Sequence, residues 1–397
     1  MKILFSPPDI TQREIDEVVD TLESGWITTG PKTKLLEKQL ADYAGAKKCV
    51  CLNSATAGME TALRLLDIGP GDEVITSAYT YSASASIIHH VGAKIVLADI
   101  DENTGLIDPQ KIEEAITDKT KAVIPVDLAG IPCDYDAIFR AVERKRFLFK
   151  PKGEIQEKLG RPAVIADAAH SLGAKYKDRK VGSIADISVF SFHAVKNFTT
   201  GEGGALLWTD LGGMDSEEIY KTIQLITLHG QNKDALAKTK LGSWEYDIKF
   251  LGYKYNMPDI MAAIGLAQFK RYPELLRRRR EIIKAYEDGF ENTKIKNIKH
   301  AGEDFRGSGH LFITRVEGIE EEERNSIIEK MAKAGIATNV HYKPLPMHTA
   351  YKELGFDIKD YPNAYAFYKN EITLPLHTLL KDKEIEYIIE EFKKAVV

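Results

Sequence analysis

Six short runs rich in Val, Ile and other apolar residues recur along the first half of the chain: "KCVCL" (48–52), "DEVITS" (72–77), "AKIVLAD" (93–99), "KAVIPVD" (121–127), "PAVIAD" (162–167) and "ISVFSF" (187–192). Such runs are the signature of short strands buried on both faces. Helix-patterned segments separate several of them. "TQREIDEVVDTLESG" (11–25) has apolar positions at helical spacing between a threonine start and a glycine stop. "NSATAGMETALRLL" (53–66) is a polar cap leading into a helix. Strand and helix in alternation predict an α/β domain around a mostly parallel sheet. Ligands of such sheets bind beyond the carboxyl ends of the strands, so the residues that follow the apolar runs are the ones that matter.

The texture changes after about residue 257. "MPDIMAAIGLAQFKRYPELLRRRREIIKAYEDGF" (257–290) predicts a long helix with one break, at Pro273. Beyond it, "HLFITRV", "EEERNSIIEKMAKAG", "ITLPLH" and "EIEYIIEEFKKAV" read as a smaller α+β unit. The expected division is a large domain, 1–275, and a small C-terminal domain, 276–397. Two polar, irregular stretches, 144–161 and 232–250, read as loops or surface excursions. The four arginines Arg277 to Arg280 read as a solvated helix face, since consecutive residues point in all directions.

A chain of 397 residues is long enough for this arrangement and for a substantial core. A net charge of −5 offers no broad surface for nucleic acid or membrane. Three cysteines, Cys49, Cys51 and Cys133, fit neither a disulfide framework nor a zinc site. The histidines, including His89, His90, His341 and His348, lack a metal-ligand spacing, so no metal is expected. With "MKILFSPPDI" too short in its apolar run for a signal peptide, the expectation is a reduced, soluble, cytoplasmic protein.

The strand ends carry chemistry. Asp167 closes one apolar run, with His170 three residues later; Ser191, His193 and Lys196 follow the next; Ser54 and Thr56 follow the first. An amine, a carboxylate and a small-residue helix start suit pyridoxal 5'-phosphate. That cofactor needs an amine for a Schiff base and a carboxylate at its pyridine nitrogen. Its phosphate takes backbone N–H groups at a helix N-terminus with short hydroxyls. Tyr81, in "SAYTYSAS", offers a face for the ring to stack on. "GEGG" (201–204) is no phosphate-binding motif, and its glycines read as allowing close backbone approach beneath the cofactor loop.

Ordered motifs add a resemblance. "SGWITTGPK" (24–32), "NSATAGM", "GDEVIT", "IPVDLAG" (124–130), "DAAHSLGA" (167–174), "SFHAVKNFTTGEGG" (191–204) and "GYKYNMPDIMAAIGLAQF" (252–269) fall in the order seen in the DegT/DnrJ/EryC1/StrS family of sugar aminotransferases. The chain resembles that family along nearly its whole length. The resemblance implies the fold-type I, aspartate-aminotransferase-like architecture. It implies Lys196 as the Schiff-base lysine, Asp167 as the carboxylate on the pyridine nitrogen, and His170 against the side of the ring oxygen. It also implies Tyr81 as the stacking ring, with Thr56, the Ala55 and Ala57 amides and Ser191 as the phosphate cradle. Trp26 is taken as a lid residue, and His193, His341 and Tyr342 as substrate contacts, the last two through a family "H-Y" segment near the sugar.

Members of the family are homodimers that share active sites through a Gly-aromatic-Asn-aromatic-Arg-Met segment. Here that segment is Gly252, Tyr253, Lys254, Tyr255, Asn256, Met257. Lys254 thus replaces the asparagine that reaches the partner's phosphate, and its ammonium is expected to take over the contact, with Asn256 nearby. The implied reaction moves the amino group of glutamate, released as 2-oxoglutarate, to a keto group of a nucleotide-linked sugar, with C4 preferred. A non-sugar cyclic ketone and a non-catalytic regulatory role are the alternatives; the retained Asp167, Ser191 and Lys196 argue against the latter.

Overall fold

The computed structural model describes residues 2–233 and 244–397. Its strands are β1 (Lys48–Leu52), β2 (Glu73–Ser77), β3 (Lys94–Ala98), β4 (Thr120–Ile124), β5 (Ala163–Asp167), β6 (Lys175–Tyr176) and β7 (Arg179–Lys180). They continue with β8 (Ile187–Ser191), β9 (Gly204–Trp208), β10 (Ile295–Asn297), β11 (Phe305–Arg306), β12 (Phe312–Val316) and β13 (Glu371–Leu374). Seven form one sheet in the order β1-β9-β8-β5-β4-β2-β3. Only β9 runs against its neighbours, β1 and β8; the other pairings are parallel. This is the α/β arrangement expected from the alternating pattern, and it agrees with the fold-type I architecture that the resemblance implies.

The sheet is dry on both sides. Along β1, Val50 and Leu52 enter one core while Cys49 and Cys51 enter the other, as side chains of period two must. Helices cover both faces. Among them are α2 (Pro31–Ala44), α3 (Ala55–Leu65) and α4 (Ala83–His90), while α1 (Gln12–Glu23) packs outside them. Thr11 caps α1 in a capping box with Glu14, whose other oxygen accepts from Arg271 at 2.8 Å. That charge pair ties α1 to the 32-residue helix Asp259–Phe290.

This long helix serves two cores. Ala262, Leu266, Tyr272 and Leu276 pack beneath the large sheet. Ile282, Ile283, Tyr286 and Phe290 pack with a three-stranded antiparallel sheet, β10-β12-β13, and with helices Glu321–Lys333 and Asp382–Val396. Ile3 joins that second core from the start of the chain, bridging to Ile336.

Three local expectations are corrected. The helix continues through Pro273. An interior proline costs about 3 kcal/mol, which the burial of Tyr272, Leu275 and Leu276 beside it offsets; the Tyr272 hydroxyl also donates to the Leu172 carbonyl at 2.7 Å. Segment 144–161 is not all loop, since it holds helix Glu154–Leu159, pinned by Gln156, which donates to the Leu66 carbonyl. In the stretch 232–250, residues 234–243 lie outside the described ones, and the rest carries a single bridge, Gln231 to Ile248.

The arginine run is the third correction, because it is no solvated face. Arg277 is exposed and Arg278 pairs with Asp382 at 2.7 Å. Arg279, however, is 4% exposed and donates to the carbonyls of Leu376 at 2.9 Å and Gly309 at 3.2 Å. Burial holds this guanidinium down at about 10. It clamps the long helix to the start of β12 and the end of β13. Arg279→Met should therefore lower the unfolding free energy by about 2–4 kcal/mol in urea titrations, the cost of carbonyls left unsatisfied. A loss below about 0.5 kcal/mol, typical of a surface site, would contradict the clamp.

Candidate active site

A cavity of about 430 Å³ opens at the carboxyl ends of the strands. The lysine loop reaches it because β8 and β9 stay joined past their ends. Phe192 N–H donates to the Gly203 carbonyl at 2.8 Å, Thr200 N–H to Phe192 at 2.9 Å, and Lys196 N–H to His193 at 2.9 Å. The loop is thus a tight return that carries Lys196 into the cavity wall. Gly204 makes the return possible: a Cβ there would stand 2.4 Å from the Ala55 nitrogen and 2.5 Å from the Ser54 carbonyl carbon. No side chain fits between β9 and the start of α3, which is the close approach read from "GEGG".

Asp167 ends β5 and is 5% exposed. Its carboxylate accepts from the Ser84 hydroxyl at 2.7 Å and from Ala169 N–H at 3.2 Å. Burial pushes its pKa up, and these two hydrogen bonds with the nearby Lys196 charge oppose the rise. Lys196 is half-buried by surface but set deep among surrounding atoms, and burial pushes its ammonium down to about 8, with Asp167 pulling the other way. His170 sits well below its usual range through burial, helped by the Lys196 charge, so its imidazole is neutral. Its Nε2 meets the Tyr342 hydroxyl at 3.3 Å, while its buried Nδ1 has no partner among the described residues.

The N-terminus of α3 opens onto the same cavity. Ser54 caps it, taking Ala57 N–H on its hydroxyl at 3.0 Å and Gly58 N–H on its carbonyl at 3.2 Å. The amides of Ala55 and Thr56 are left for a ligand, and both residues line the cavity beside Ser191. Ala57 is a correction, because its N–H is already spent on the cap.

The structure thus brings together Lys196, Asp167, His170, Ala55, Thr56, Ser191, Tyr81, His193, His341 and Tyr342 around one cavity. Tyr81 stands at its mouth, 65% exposed, its ring 6.1 Å from that of Tyr342. Trp26 is not a lid within this chain. Its indole donates to the Thr29 carbonyl at 3.3 Å and lies against Gly30, where an added Cβ would meet it at 1.9 Å. Lys254 and Asn256 are also absent from this cavity. They line a second one with Thr28, Thr29 and Lys34, because Asn256 bridges to Leu52 at the end of β1.

Sequence reading missed several residues in or behind the cavity wall. Ser84 carried no signal separating it from its serine neighbours. Phe5 and Ser6 come from the chain's start, and the Ser6 hydroxyl donates to Val195 at 3.0 Å. His310 packs against His170 with centroids 4.2 Å apart and ring planes tilted by 42°, and meets Asn197 at 3.0 Å through Nδ1. Its position at the head of "HLFITRV" was the one available hint.

These residues fit pyridoxal phosphate: a depressed amine, a buried carboxylate, an orphaned imidazole nitrogen and two unspent amides meet where a fold-type I sheet presents its ligand. The class is that of pyridoxal-phosphate-dependent transferases. The model of the DegT/DnrJ/EryC1/StrS aminotransferase family matches residues 8–393, and the chain belongs to that family. It is 41% identical to the spore coat polysaccharide biosynthesis protein SpsC of Bacillus subtilis, over 99% of this chain and 96% of the other. The PMP form of the putative sugar aminotransferase Spr1654 from Streptococcus pneumoniae superposes with a TM-score of 0.97 at 58% identity, covering 100% and 99% of the two chains. Helicobacter pylori PseC, an aminotransferase involved in the biosynthesis of pseudoaminic acid, superposes at 0.87 with 28% identity, covering 100% and 99%. The chain is thus a sugar aminotransferase by family, and its cofactor is pyridoxal 5'-phosphate.

The depressed lysine has a kinetic consequence, because only the neutral amine attacks a carbonyl. Cofactor-free protein should capture added pyridoxal phosphate faster as pH rises toward about 8, with a plateau above it. Absorbance of the bound cofactor follows the reaction. A rate still climbing at pH ~10, as for an ordinary lysine, would contradict the depressed amine.

Proposed function

We propose that this chain transfers the amino group of glutamate to a keto group, at C4, of a nucleotide-linked sugar, with the cofactor carried by Lys196. The observation that carries this reading is the meeting of Lys196 and Asp167 in one cavity whose far wall, His310, Asn339, His341 and Tyr342, is polar and comes from the C-terminal part of the chain. A hydroxyl-rich substrate suits such a wall.

Asp167 would hold the pyridine nitrogen, the Ala55 and Thr56 amides with Ser191 the phosphate, and His170 the ring oxygen side. When bound, pyridoxal phosphate supplies the electron sink for the pair released at the donor's Cα. Lys196 does the proton work: its Nζ takes the Cα proton and returns it, in either direction across the two half-reactions. An amine near pH 8 is effective in both roles, because neither form is scarce at neutral pH. Ser84 keeps Asp167 oriented. Leu311, Met59 and Val126 line the cavity and keep its floor apolar.

The assembly we propose is a homodimer in which Lys254 and Asn256 serve the partner's cofactor site. Supporting this, Lys254 lies outside its own chain's active cavity, and the only hydrogen bond of its ammonium among the described residues is to Asn256 Oδ1, at 2.6 Å. Its ammonium is depressed by burial, with no carboxylate paired to it among the described residues. The three buried, unpaired cysteines suit a reducing compartment, the cytoplasm.

UDP-, dTDP- and GDP-linked ketosugars assayed with glutamate should release 2-oxoglutarate with at least one of them. Lys196→Ala should lower turnover at least ~10²-fold, and borohydride should fix the cofactor's mass on the Lys196 peptide. Retained turnover, or label elsewhere, would refute the assignment. Lys254→Ala should weaken pyridoxal phosphate binding about 10-fold, as loss of one charged hydrogen bond does. Unchanged affinity in equilibrium dialysis would remove Lys254 from the cofactor site.

A further inference from the structure

His341 is held from four directions. Its N–H donates to Glu371 Oε2 at 2.9 Å, its carbonyl accepts from the Tyr79 hydroxyl at 2.8 Å, and Phe5 stacks on its ring at 5.5 Å and 19°. Its Nδ1 lies 2.9 Å from the Thr373 hydroxyl, which also bonds Glu371 Oε1. The arrangement follows from register: Asn339 and Thr373 exchange both backbone hydrogen bonds, at 3.1 and 2.8 Å. With Nδ1 engaged and the ring lining the cavity, Nε2 is the nitrogen left for a ligand.

Glu371 and Thr373 are both fully buried on β13. The Thr373 hydroxyl has a single proton, so the three groups form a chain that can point only one of two ways. With Glu371 ionised, Thr373 donates to the carboxylate, Nδ1–H donates to Thr373, and Nε2 is a bare acceptor. With Glu371 protonated, its O–H donates to Thr373, Thr373 donates to Nδ1, and Nε2 carries the hydrogen. The ring remains neutral throughout, since burial and the Lys196 charge push it down to about 3.

We propose that Glu371, acting through the Thr373 hydroxyl, is a positioning residue that sets which nitrogen of His341 carries the proton, and so whether the substrate meets a donor or an acceptor at Nε2. The meaning of that choice for a sugar hydroxyl rests on the substrate reading above; the relay itself does not. The groups facing Glu371 are Arg324 of helix Glu321–Lys333, Tyr79 beyond β2, His341 and Tyr342 of the cavity wall, and Arg315 opposite it on β12. Arg315 is turned to Asn370 and to the Glu102 and Ala366 carbonyls. Arg324 favours the ionised form, but burial outweighs it and raises Glu371 to about 8. Below that pH Nε2 is the donor, and above it the acceptor.

The test is the tautomer of His341, read from the ¹⁵N shifts of its ring in histidine-labelled, cofactor-loaded protein, with His341→Gln to identify the signals. In the natural sequence the signals of Nδ1 and Nε2 should exchange character across about pH 8. Glu371→Gln, whose amide donates to Thr373 as the acid does, should keep the low-pH tautomer throughout. Thr373→Val should lose the pH-linked change, and Thr373→Ser should restore it. The same titration persisting in Glu371→Gln or Thr373→Val would overturn the relay, as would a ring that never changes tautomer in the natural sequence. No substrate is needed, so failure of every ketosugar in the turnover panel would count against the sugar reading alone.

Discussion

Both faces of the central sheet are dry, and this decides where polar chemistry can gather. A charged side chain pointing from mid-strand would enter one of two close-packed cores, at a cost of several kcal/mol without a partner. Only beyond the strand ends can a lysine, a carboxylate and open amides stand together. The register of β8 against β9, Ser191 opposite Gly204, brings the Lys196 return over the start of α3. The parallel pairing of Asp167 with Val189 sets the carboxylate one strand away. Cavity and fold are therefore one construction.

Within that site, burial does most of the electrostatic work. It lowers Lys196, raises Asp167 and keeps His170 and His341 neutral. The same low-polarity surroundings would be costly were the groups not tied down. Ser84 holds Asp167, Asn197 holds His310, and Thr373 holds His341. Asp127 is a further tie. Fully buried, it accepts from Ser171, Cys133 and Tyr135, bracing the turn that carries both Asp167 and His170.

The architecture was legible where the signal was local. Apolar runs of five to seven residues, a threonine cap at Thr11 and the serine-alanine start of α3 declare themselves within a few positions. That Lys196 and Asp167 share a cavity was legible because strand ends are where such folds bind ligands. Pro273 misled because a proline's cost is local while its compensation, the packing of Tyr272 and Leu276, is not. Arg279 misled because nothing in "RRRR" distinguishes the one arginine that faces the Gly309, His310 and Leu376 carbonyls. Trp26 and Ala57 were assigned by motif, and the turns that engage them were visible only in three dimensions.

Sequence alone determined the class of fold and the family, and singled out the candidate residues, because periodicity, caps and motif order are properties of neighbours along the chain. Tertiary structure decided which of those residues share a cavity and which of their nitrogens hold protons. Ser84 finds Asp167 across 83 positions, and Glu371 finds His341 across 30. Burial and hydrogen bonding depend on what arrives from remote segments, and no short stretch of sequence contains that information.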